Sequence, residues 1–232
     1  MKRQSGPRRS ALFICEAHFS LYISARLCYH ILGWMVFDIE TIPKEEKQLN
    51  IGFIGAGKVG CTLGKYFGTD PETTIAGYYS RSSNSANDAA RFTDSKSYRD
   101  LSELIDACDM IFLTVPDGSI RDTWKKIKGY DIREKFICHC SGSMSCDDAF
   151  DGIEETGAFG YSAHPLFAVS DKYNAYRELT GVFFTLEEYA KGAAATGPGL
   201  AALQGLFGRL GNPTGIIDGK DKTTYHCAAA TA

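Results

Sequence analysis

The chain has 232 residues, a net charge of −3 and 44% hydrophobic residues, which is enough for one large folded domain or for one domain and part of a second. A charge this small gives no electrostatic case for nucleic acid or an anionic membrane as the main partner. The eight cysteines form no CxxC pair, and several lie in apolar runs, so we expect reduced thiols in a cytoplasmic protein rather than a disulfide framework.

Residues 1–49 differ in pattern from the rest of the chain. Residues 11–37 are apolar, but four polar residues interrupt them: Glu16, His18, Arg26 and His30. The segment therefore lacks the unbroken apolar length of a bilayer span and the clean core of a signal peptide. We expect a poorly ordered N-terminal extension, with the natural start of the protein near Met35.

The first predicted strand, Asn50–Ile54, leads directly into a complete GxGxxG motif. Apolar residues at helical spacing follow, so strand, glycine turn and helix come in the order that a dinucleotide-binding unit requires. Gly55 would permit the tight turn, Gly57 the close approach of a pyrophosphate, and Gly60 the packing of helix on strand. The alternative is a glycine turn without a ligand. The candidate cofactor-binding residues here are Gly55, Ala56, Gly57, Lys58, Val59 and Gly60.

The second predicted strand, residues 74–79, ends at a cation flanked by hydroxyl groups. NAD-binding enzymes usually place an acidic residue here to hold the ribose hydroxyls, and this sequence has none. Arg81 can bind a 2′-phosphate, with Ser80 and Ser82 as neutral donors, so the sequence predicts NADP as the cofactor. The alternative is an exposed turn with a solvated arginine.

A further Rossmann-type repeat follows. We predict a helix over residues 85–92, an apolar-patterned segment over 101–105 and a strand over 110–115 that Pro116 ends. Val115 and Pro116 are candidates for the wall beside the nicotinamide ribose. Asp117 is expected to cap the next helix.

Two more predicted strands, residues 135–140 and 158–163, end next to polar side chains. In an open parallel sheet, ligands bind beyond the carboxyl ends of the strands, which makes Ser141 and His164 the candidate catalytic residues. Histidine can transfer a proton near neutral pH, and a serine hydroxyl can orient a carbonyl or an imine. For His164, a packed and hydrogen-bonded ring remains an open alternative.

A metal site is not expected. Cys138, His139 and Cys140, with Cys146 nearby, suggest one, but on a strand the two cysteines point to the face opposite His139. We therefore expect His139 to be a packed core residue.

The remaining segments predict a strand over 180–185, a helix over 199–210, a short strand over 215–217 and a small-residue helix over 218–232. Together the elements predict an α/β protein with a doubly wound, mainly parallel sheet of Rossmann type.

Six stretches in this order carry a family resemblance. They are residues 51–60, Ser80-Arg81-Ser82, Val115-Pro116-Asp117, His139-Cys140-Ser141-Gly142, His164-Pro165-Leu166 and Tyr225-His226-Cys227-Ala228-Ala229-Ala230. From about Asn50 to the last residue, the chain resembles Rossmann-like proteins that carry a C-terminal domain of unknown function, DUF2520. That family is similar to 6-phosphogluconate dehydrogenase and pyrroline-5-carboxylate reductase.

The resemblance implies an NADP-binding Rossmann domain over residues 50–218 and a helical domain that pairs subunits into a homodimer and closes the substrate cleft. On this resemblance, we expect residues 219–232 to be only the start of that helical domain. We therefore expect a C-terminally truncated chain that binds cofactor but turns over substrate poorly or not at all. We expect the homodimer for full-length family members rather than for this chain.

The function predicted is hydride transfer by an NADP-dependent oxidoreductase to or from a small carbonyl, imine or hydroxy compound. The resemblance implies that Ser141-Gly142 helps to hold the substrate. Relatives in the hydroxyacid branch also use a lysine of the helical domain, and we find no matching lysine here. The alternative is a non-catalytic NADP-binding sensor or scaffold, because no Tyr-Lys pair or His-Asp dyad is evident.

Overall fold

The computed structural model describes residues 48–190 and 198–231. The expected N-terminal extension and the start at Met35 lie outside the described residues, except that Leu49 already belongs to the first strand. Within the described part of the chain, no helix is both long enough and apolar enough to cross a membrane.

Eight strands form one sheet in the order β3-β2-β1-β4-β5-β6-β7-β8. All neighbours pair in parallel except β6 and β7, which are antiparallel. The prediction of a mainly parallel α/β sheet is therefore confirmed. The strands are β1 (Leu49–Ile54), β2 (Thr73–Tyr79), β3 (Lys96–Tyr98), β4 (Met110–Leu113), β5 (Phe136–His139), β6 (Phe159–Pro165), β7 (Phe184–Glu188) and β8 (Thr214–Ile216).

Helices cover both faces of the sheet, which makes the fold doubly wound. One apolar core joins the sheet to α1, α2 and α6, and a second core on the other face joins it to α3, α4 and α5. Because helices cover both faces of the sheet, the side chains of the central strands are buried on either side. These strands are therefore continuous apolar runs such as Met110–Leu113. The helices are α1 (Lys58–Phe67), α2 (Ser83–Thr93), α3 (Leu101–Asp106), α4 (Asp117–Ile127), α5 (Cys146–Ala149), α6 (Pro198–Arg209) and α7 (Lys222–Thr231).

The strand order reverses between β1 and β4. From β1 the chain proceeds to β2 and β3 on one side, and it then crosses back to β4 and β5 on the other. Loops at the carboxyl ends of β1 and β4 separate at this point and leave a crevice between them. Ligands of open α/β sheets bind in this crevice.

The predicted strand over residues 180–185 is wrong in position. Gly181 adopts φ +80°, and the Val182 amide bonds the Leu179 carbonyl, so a turn occupies the first part of that segment. The strand begins only at Phe184 and runs to Glu188. Sequence reasoning also missed β3, because three polar residues at a sheet edge carry no apolar alternation.

Candidate functional site

The glycine turn between β1 and α1 packs directly on the end of β4. Gly55 has φ +112°, and a Cβ there would lie 2.6 Å from the Thr114 carbonyl oxygen. A Cβ on Gly60 would lie 2.4 Å from Thr114 Oγ1 and 2.5 Å from the Gly55 oxygen. Thr114 Oγ1 in turn donates a hydrogen bond to that oxygen at 2.8 Å. These two glycines therefore hold helix, turn and strand in contact.

Gly57 differs from the other two glycines because it faces open space. A Cβ built there would meet no protein atom within 4 Å. Gly57 is also the N-cap of α1, and no side chain caps that helix end. The helix therefore presents its first amide groups and the positive end of its dipole to an open volume, which is the arrangement that binds phosphate.

A cleft of about 400 Å³ lies at this end of the sheet. Its wall includes seven of the residues predicted to bind cofactor: Gly55, Ala56, Gly57, Ser80, Arg81, Val115 and Pro116. Four others do not line it: Lys58, Val59, Gly60 and Ser82. Gly60 is buried behind the wall, where its role is the close packing described above.

The β2–α2 loop supplies the cation of the cleft. Arg81 is exposed, and among the described residues it makes no hydrogen bond or ion pair. Ser82 is the N-cap of α2, and its hydroxyl accepts from the Ser85 amide at 3.2 Å. The hydroxyl of Ser82 is therefore engaged in starting the helix, whereas the guanidinium of Arg81 is free to bind an anion.

The opposite wall comes from α4, which sequence reasoning did not assign to the site. Ser119, Asp122, Thr123 and Lys126 line the cleft. Their spacing of three, four and seven residues places them on one face of the helix. The sequence shows this spacing, but it does not indicate which part of the fold the polar face of the helix would contact.

Asp117 connects the cleft described above to the carboxyl end of β5. The expectation that Asp117 caps α4 is wrong, because Pro116 holds the N-cap position and Asp117 is the first helical residue. Its carboxylate instead accepts a hydrogen bond from Ser141 Oγ at 2.7 Å. Pro116 lines the cleft, so the two sites are joined through adjacent residues.

Ser141 lies at the end of β5, as predicted, but its hydroxyl is fully engaged. It donates to Asp117 and accepts from the amides of Ser143 at 3.3 Å and Met144 at 3.0 Å. The residue is only 4% exposed. The structure therefore places Ser141 where it shapes the loop that follows β5.

His164 lies near the end of β6 with one ring nitrogen engaged. Its Nδ1 lies 3.1 Å from the Cys140 carbonyl oxygen, and this acceptor selects the tautomer protonated at Nδ1. Nε2 is thereby left as the basic nitrogen. Partial burial lowers the pKa of His164 below its ordinary value of 6.5, which favours the neutral ring.

A second imidazole, which sequence reasoning missed, lies against His164. The rings of His164 and His226 meet edge to face with centroids 5.3 Å apart. Gly142 fits beside both, since a Cβ there would lie 2.3 Å from His226 Nδ1 and 2.7 Å from His164 Nε2. Within the described residues, the buried His226 Nδ1 and the neighbouring Tyr225 hydroxyl have no hydrogen-bond partner. The Tyr-His motif thus belongs to the same strand-end region as Ser141-Gly142.

Beneath this region, a buried polar row crosses the sheet. His139, Ser162 and Glu187 are paired across β5, β6 and β7, so their side chains share one face. His139 Nδ1 accepts from the Ser141 amide at 3.2 Å, and burial holds the pKa of His139 well below its ordinary value. The prediction that His139 is a packed, hydrogen-bonded residue is confirmed.

Lys222 of α7 closes this row, and sequence reasoning missed it. Its ammonium bonds Glu187 Oε2 at 2.8 Å and also Ser162 Oγ, and the residue is only 1% exposed. The lysine therefore docks α7 onto the sheet through a buried ion pair. No pattern in the sequence indicates that residue 222 contacts residue 187, so this contact could not be predicted without the three-dimensional structure.

The same row brings three potential metal ligands together. The ligand atoms of His139, Cys146 and Glu187 lie within 4.8 Å of one another. Both carboxylate oxygens of Glu187 are already engaged, one by Lys222 and one by the Cys146 amide at 2.7 Å. A cation here would face the Lys222 ammonium, so the arrangement fits a buried ion pair better than a metal centre.

Comparison with known proteins places this geometry in a family. The model of a family described as the Rossmann-like domain matches residues 39–165. No curated protein sequence matches the chain.

Several solved structures share the fold at low identity, which shows the fold alone. A protein from Bacteroides fragilis described as an NADP oxidoreductase is 19% identical with a TM-score of 0.61, over 80% of this chain and 67% of its own. An imine reductase from Pseudomonas sp. is 15% identical with a TM-score of 0.61, over 79% of this chain and 61% of its own. A reductive aminase from Aspergillus terreus in complex with NADPH is 12% identical with a TM-score of 0.58, over 79% and 61%. The chain thus spans less than two thirds of the last two proteins.

Proposed function

The chain belongs to the Rossmann-like domain family, and we propose that it is an NADP-dependent oxidoreductase. The observation that carries the proposal is the cleft of about 400 Å³, in which the open glycine turn faces a free guanidinium. The α1 N-terminus would hold the pyrophosphate, and Arg81 would hold the 2′-phosphate. Solved structures of the same fold carry names of NADP- or NADPH-binding enzymes, which supports the choice.

The preference for NADP over NAD follows from the end of β2. A carboxylate at that position would accept hydrogen bonds from the two ribose hydroxyls of NAD and would repel a 2′-phosphate. The loop after β2 offers Ser80 and Arg81 to the cleft and no acidic residue. A guanidinium can form two parallel hydrogen bonds to phosphate, so the loop favours the phosphorylated nucleotide.

The cofactor, when bound, supplies the hydride chemistry, and His164 would transfer the proton. Its Nε2 is the basic nitrogen, and burial favours the neutral ring, so in the oxidation direction it would accept a proton from a hydroxy or amino compound. In the reverse direction the protonated ring would donate to a carbonyl or imine. The substrate class is a small carbonyl, imine or hydroxy compound, and neighbours named imine reductase and reductive aminase are compatible with it.

Ser141 would act as a positioning residue rather than as a substrate ligand. Its hydroxyl already makes three hydrogen bonds, to Asp117 and to two amides of the following loop. Asp117 directly follows Pro116, which lines the cleft. The bond from Ser141 to Asp117 would therefore fix the position of the cleft wall relative to the strand ends that carry His164. We further propose residues 50–218 as the cofactor-binding domain and residues 219–232, with α7, as the start of a helical domain.

One observation favours the second candidate, a non-catalytic NADP sensor or scaffold. Of the polar groups at the ends of β5 and β6, the Ser141 hydroxyl is saturated and the Lys222 ammonium is held by Glu187. His164, His226 and the Tyr225 hydroxyl remain as proton-transfer groups there within the described residues. Oxidation of NADPH with a panel of small ketones, aldehydes and cyclic imines separates the two functions, since a sensor would bind NADPH without consuming it.

Calorimetric titration with NADPH and NADH tests the cofactor assignment. We expect NADPH to bind the wild type more tightly, and Arg81→Ala to remove roughly 1.5–3 kcal/mol of NADPH affinity while changing NADH affinity little. Arg91→Ala is the matched control, because Arg91 is also exposed but pairs with Asp88 on α2 and lies outside the cleft. The absence of binding to either nucleotide would overturn the proposal.

A further inference from the structure

The α4 helix has two faces with different surroundings. Ile120, Trp124 and Ile127 are buried against the sheet. The stripe of Ser119, Asp122, Thr123 and Lys126 lines the cofactor cleft instead. The helix therefore directs a lysine into the cleft from the wall opposite the β2–α2 loop.

Two adjacent lysines on α4 differ in their partners. Lys125 lies 3.4 Å from the Asp122 carboxylate and is not part of the cleft wall. Lys126 lines the cleft, and its ammonium makes no hydrogen bond or ion pair within residues 48–190 and 198–231. The Asp122 carboxylate, the acidic group of the cleft wall, already has a cationic partner in Lys125.

Among the described residues, the cleft is thus lined by two cations without a partner, Arg81 after β2 and Lys126 on α4, on either side of β1. Two like charges that line one cleft repel each other, and an anion bound between them would relieve the repulsion. The arrangement is complementary to a compact dianion that contacts both walls.

The position of Lys126 along α4 identifies which part of the nucleotide it would meet. The pyrophosphate would lie at the α1 N-terminus, next to Thr114 and the start of α4. Lys126 is nine residues after Asp117, which corresponds to about 14 Å along the helix axis. It is therefore far from the pyrophosphate and lies toward the adenosine end, where Arg81 and Ser85 also line the cleft.

We propose that Lys126 is a second specificity-determining residue, which binds the 2′-phosphate from the α4 wall while Arg81 binds it from the β2–α2 wall. This inference rests on the proposed binding of NADP. It adds that the discrimination against NAD is shared between two elements of the fold, the end of β2 and the third turn of α4.

Binding of four nucleotides to four proteins tests the inference. NADPH, NADH, adenosine 2′,5′-bisphosphate and 5′-AMP are titrated by calorimetry into the wild type, Lys126→Ala, Lys126→Arg and the matched control Lys125→Ala. We expect Lys126→Ala to weaken both 2′-phosphorylated ligands about five- to tenfold and the other two less than twofold, since exposed charged contacts are modest. Lys126→Arg should stay within about threefold of the wild type.

The outcomes separate this inference from the cofactor assignment. If the wild type binds no nicotinamide nucleotide, the proposed function is wrong. If the wild type prefers NADPH and Arg81→Ala abolishes the preference, but Lys126→Ala behaves like Lys125→Ala, then only the role of Lys126 is overturned. An equal loss for NADH and NADPH in Lys126→Ala would also overturn it, because the lysine would then contact a part common to both nucleotides.

Discussion

Replacement of Lys222 by methionine tests whether a buried ion pair docks α7 onto the sheet. The Lys222 ammonium and the Glu187 carboxylate are 2.8 Å apart, and their side chains are 1% and 4% exposed. Solvent therefore screens the pair little, and methionine would leave the carboxylate buried without its cation. Breaking a buried pair in this way costs about 3–5 kcal/mol of unfolding free energy.

A second variant separates the charge from the packing. Glu187 Oε1 accepts a hydrogen bond from the Cys146 amide at 2.7 Å, and glutamine at position 187 can keep that acceptor while removing the charge. The double variant Lys222→Met/Glu187→Gln should therefore recover most of the loss, to within about 1–2 kcal/mol of the wild type. Urea unfolding at pH 7, analysed by linear extrapolation, measures both values.

Lys220→Met is the matched control, because Lys220 pairs with Asp218 only two positions away but both side chains are more than half exposed. An exposed pair contributes about 1 kcal/mol or less, so this variant should be nearly as stable as the wild type. The reasoning would be refuted if Lys222→Met lost no more than the control. It would also be refuted if the double variant were as unstable as Lys222→Met alone.

Three further predictions concern the cleft, the proton-transfer residue and the packing of α6. Gly60→Ala should weaken NADPH binding at least tenfold and lower the Tm, because the new Cβ would lie 2.4 Å from Thr114 Oγ1, and calorimetry with thermal melts measures both effects. In the oxidation direction, kcat/KM should fall as the pH drops below a pKa that is lower than the ordinary histidine value of 6.5, and this titration should vanish in His164→Asn. Arg209 binds the buried Asp70 carboxylate through two hydrogen bonds, which lower the pKa of Asp70. The stabilisation is therefore complete above the ordinary pKa of 3.8 and is lost as the pH falls toward the lower folded value, so urea unfolding across pH 2–5 should show a weaker pH dependence in Arg209→Met.

The cofactor half of the fold was predictable from the sequence because its signals are local. The first strand, the glycine turn and the first helix follow each other within residues 49–67, and each glycine has a conformational or steric reason that the structure bears out at Gly55 and Gly60. The free cation at the end of β2 was also predictable, because the expected acidic residue is visibly missing at a fixed distance from the turn. The binding of NADP itself remains a prediction.

The other half was less predictable because its contacts join distant residues. Lys222 and Glu187 are 35 positions apart, and Asp117 and Ser141 are 24 positions apart. The chain reaches the antiparallel strand β7 through a connection that includes the turn at Gly181, and the apolar residues after that turn do not indicate the direction of the strand. Periodicity reports which residues are buried, but it does not report which buried polar groups meet.

One row of paired residues across the sheet is apolar in its first half and polar in its second half. On β1 and β4 the row holds Ile54 and Leu113, whereas on β5, β6 and β7 it holds His139, Ser162 and Glu187. A dinucleotide is bound mainly through backbone amides and loop side chains, so the strands beneath it need only an apolar core.

Each buried polar side chain in the second half of the row needs a hydrogen-bond partner. Lys222 of α7 and backbone amides of the loop after β5 supply these partners. A chain segment that follows the sheet is thereby fixed over the strand ends, where it brings His226 against His164. The buried ion pair thus has a consequence beyond stability, since the placement of the second imidazole depends on it. Loss of the pair should therefore disturb any proton transfer at His164 while leaving the glycine turn and its nucleotide affinity intact.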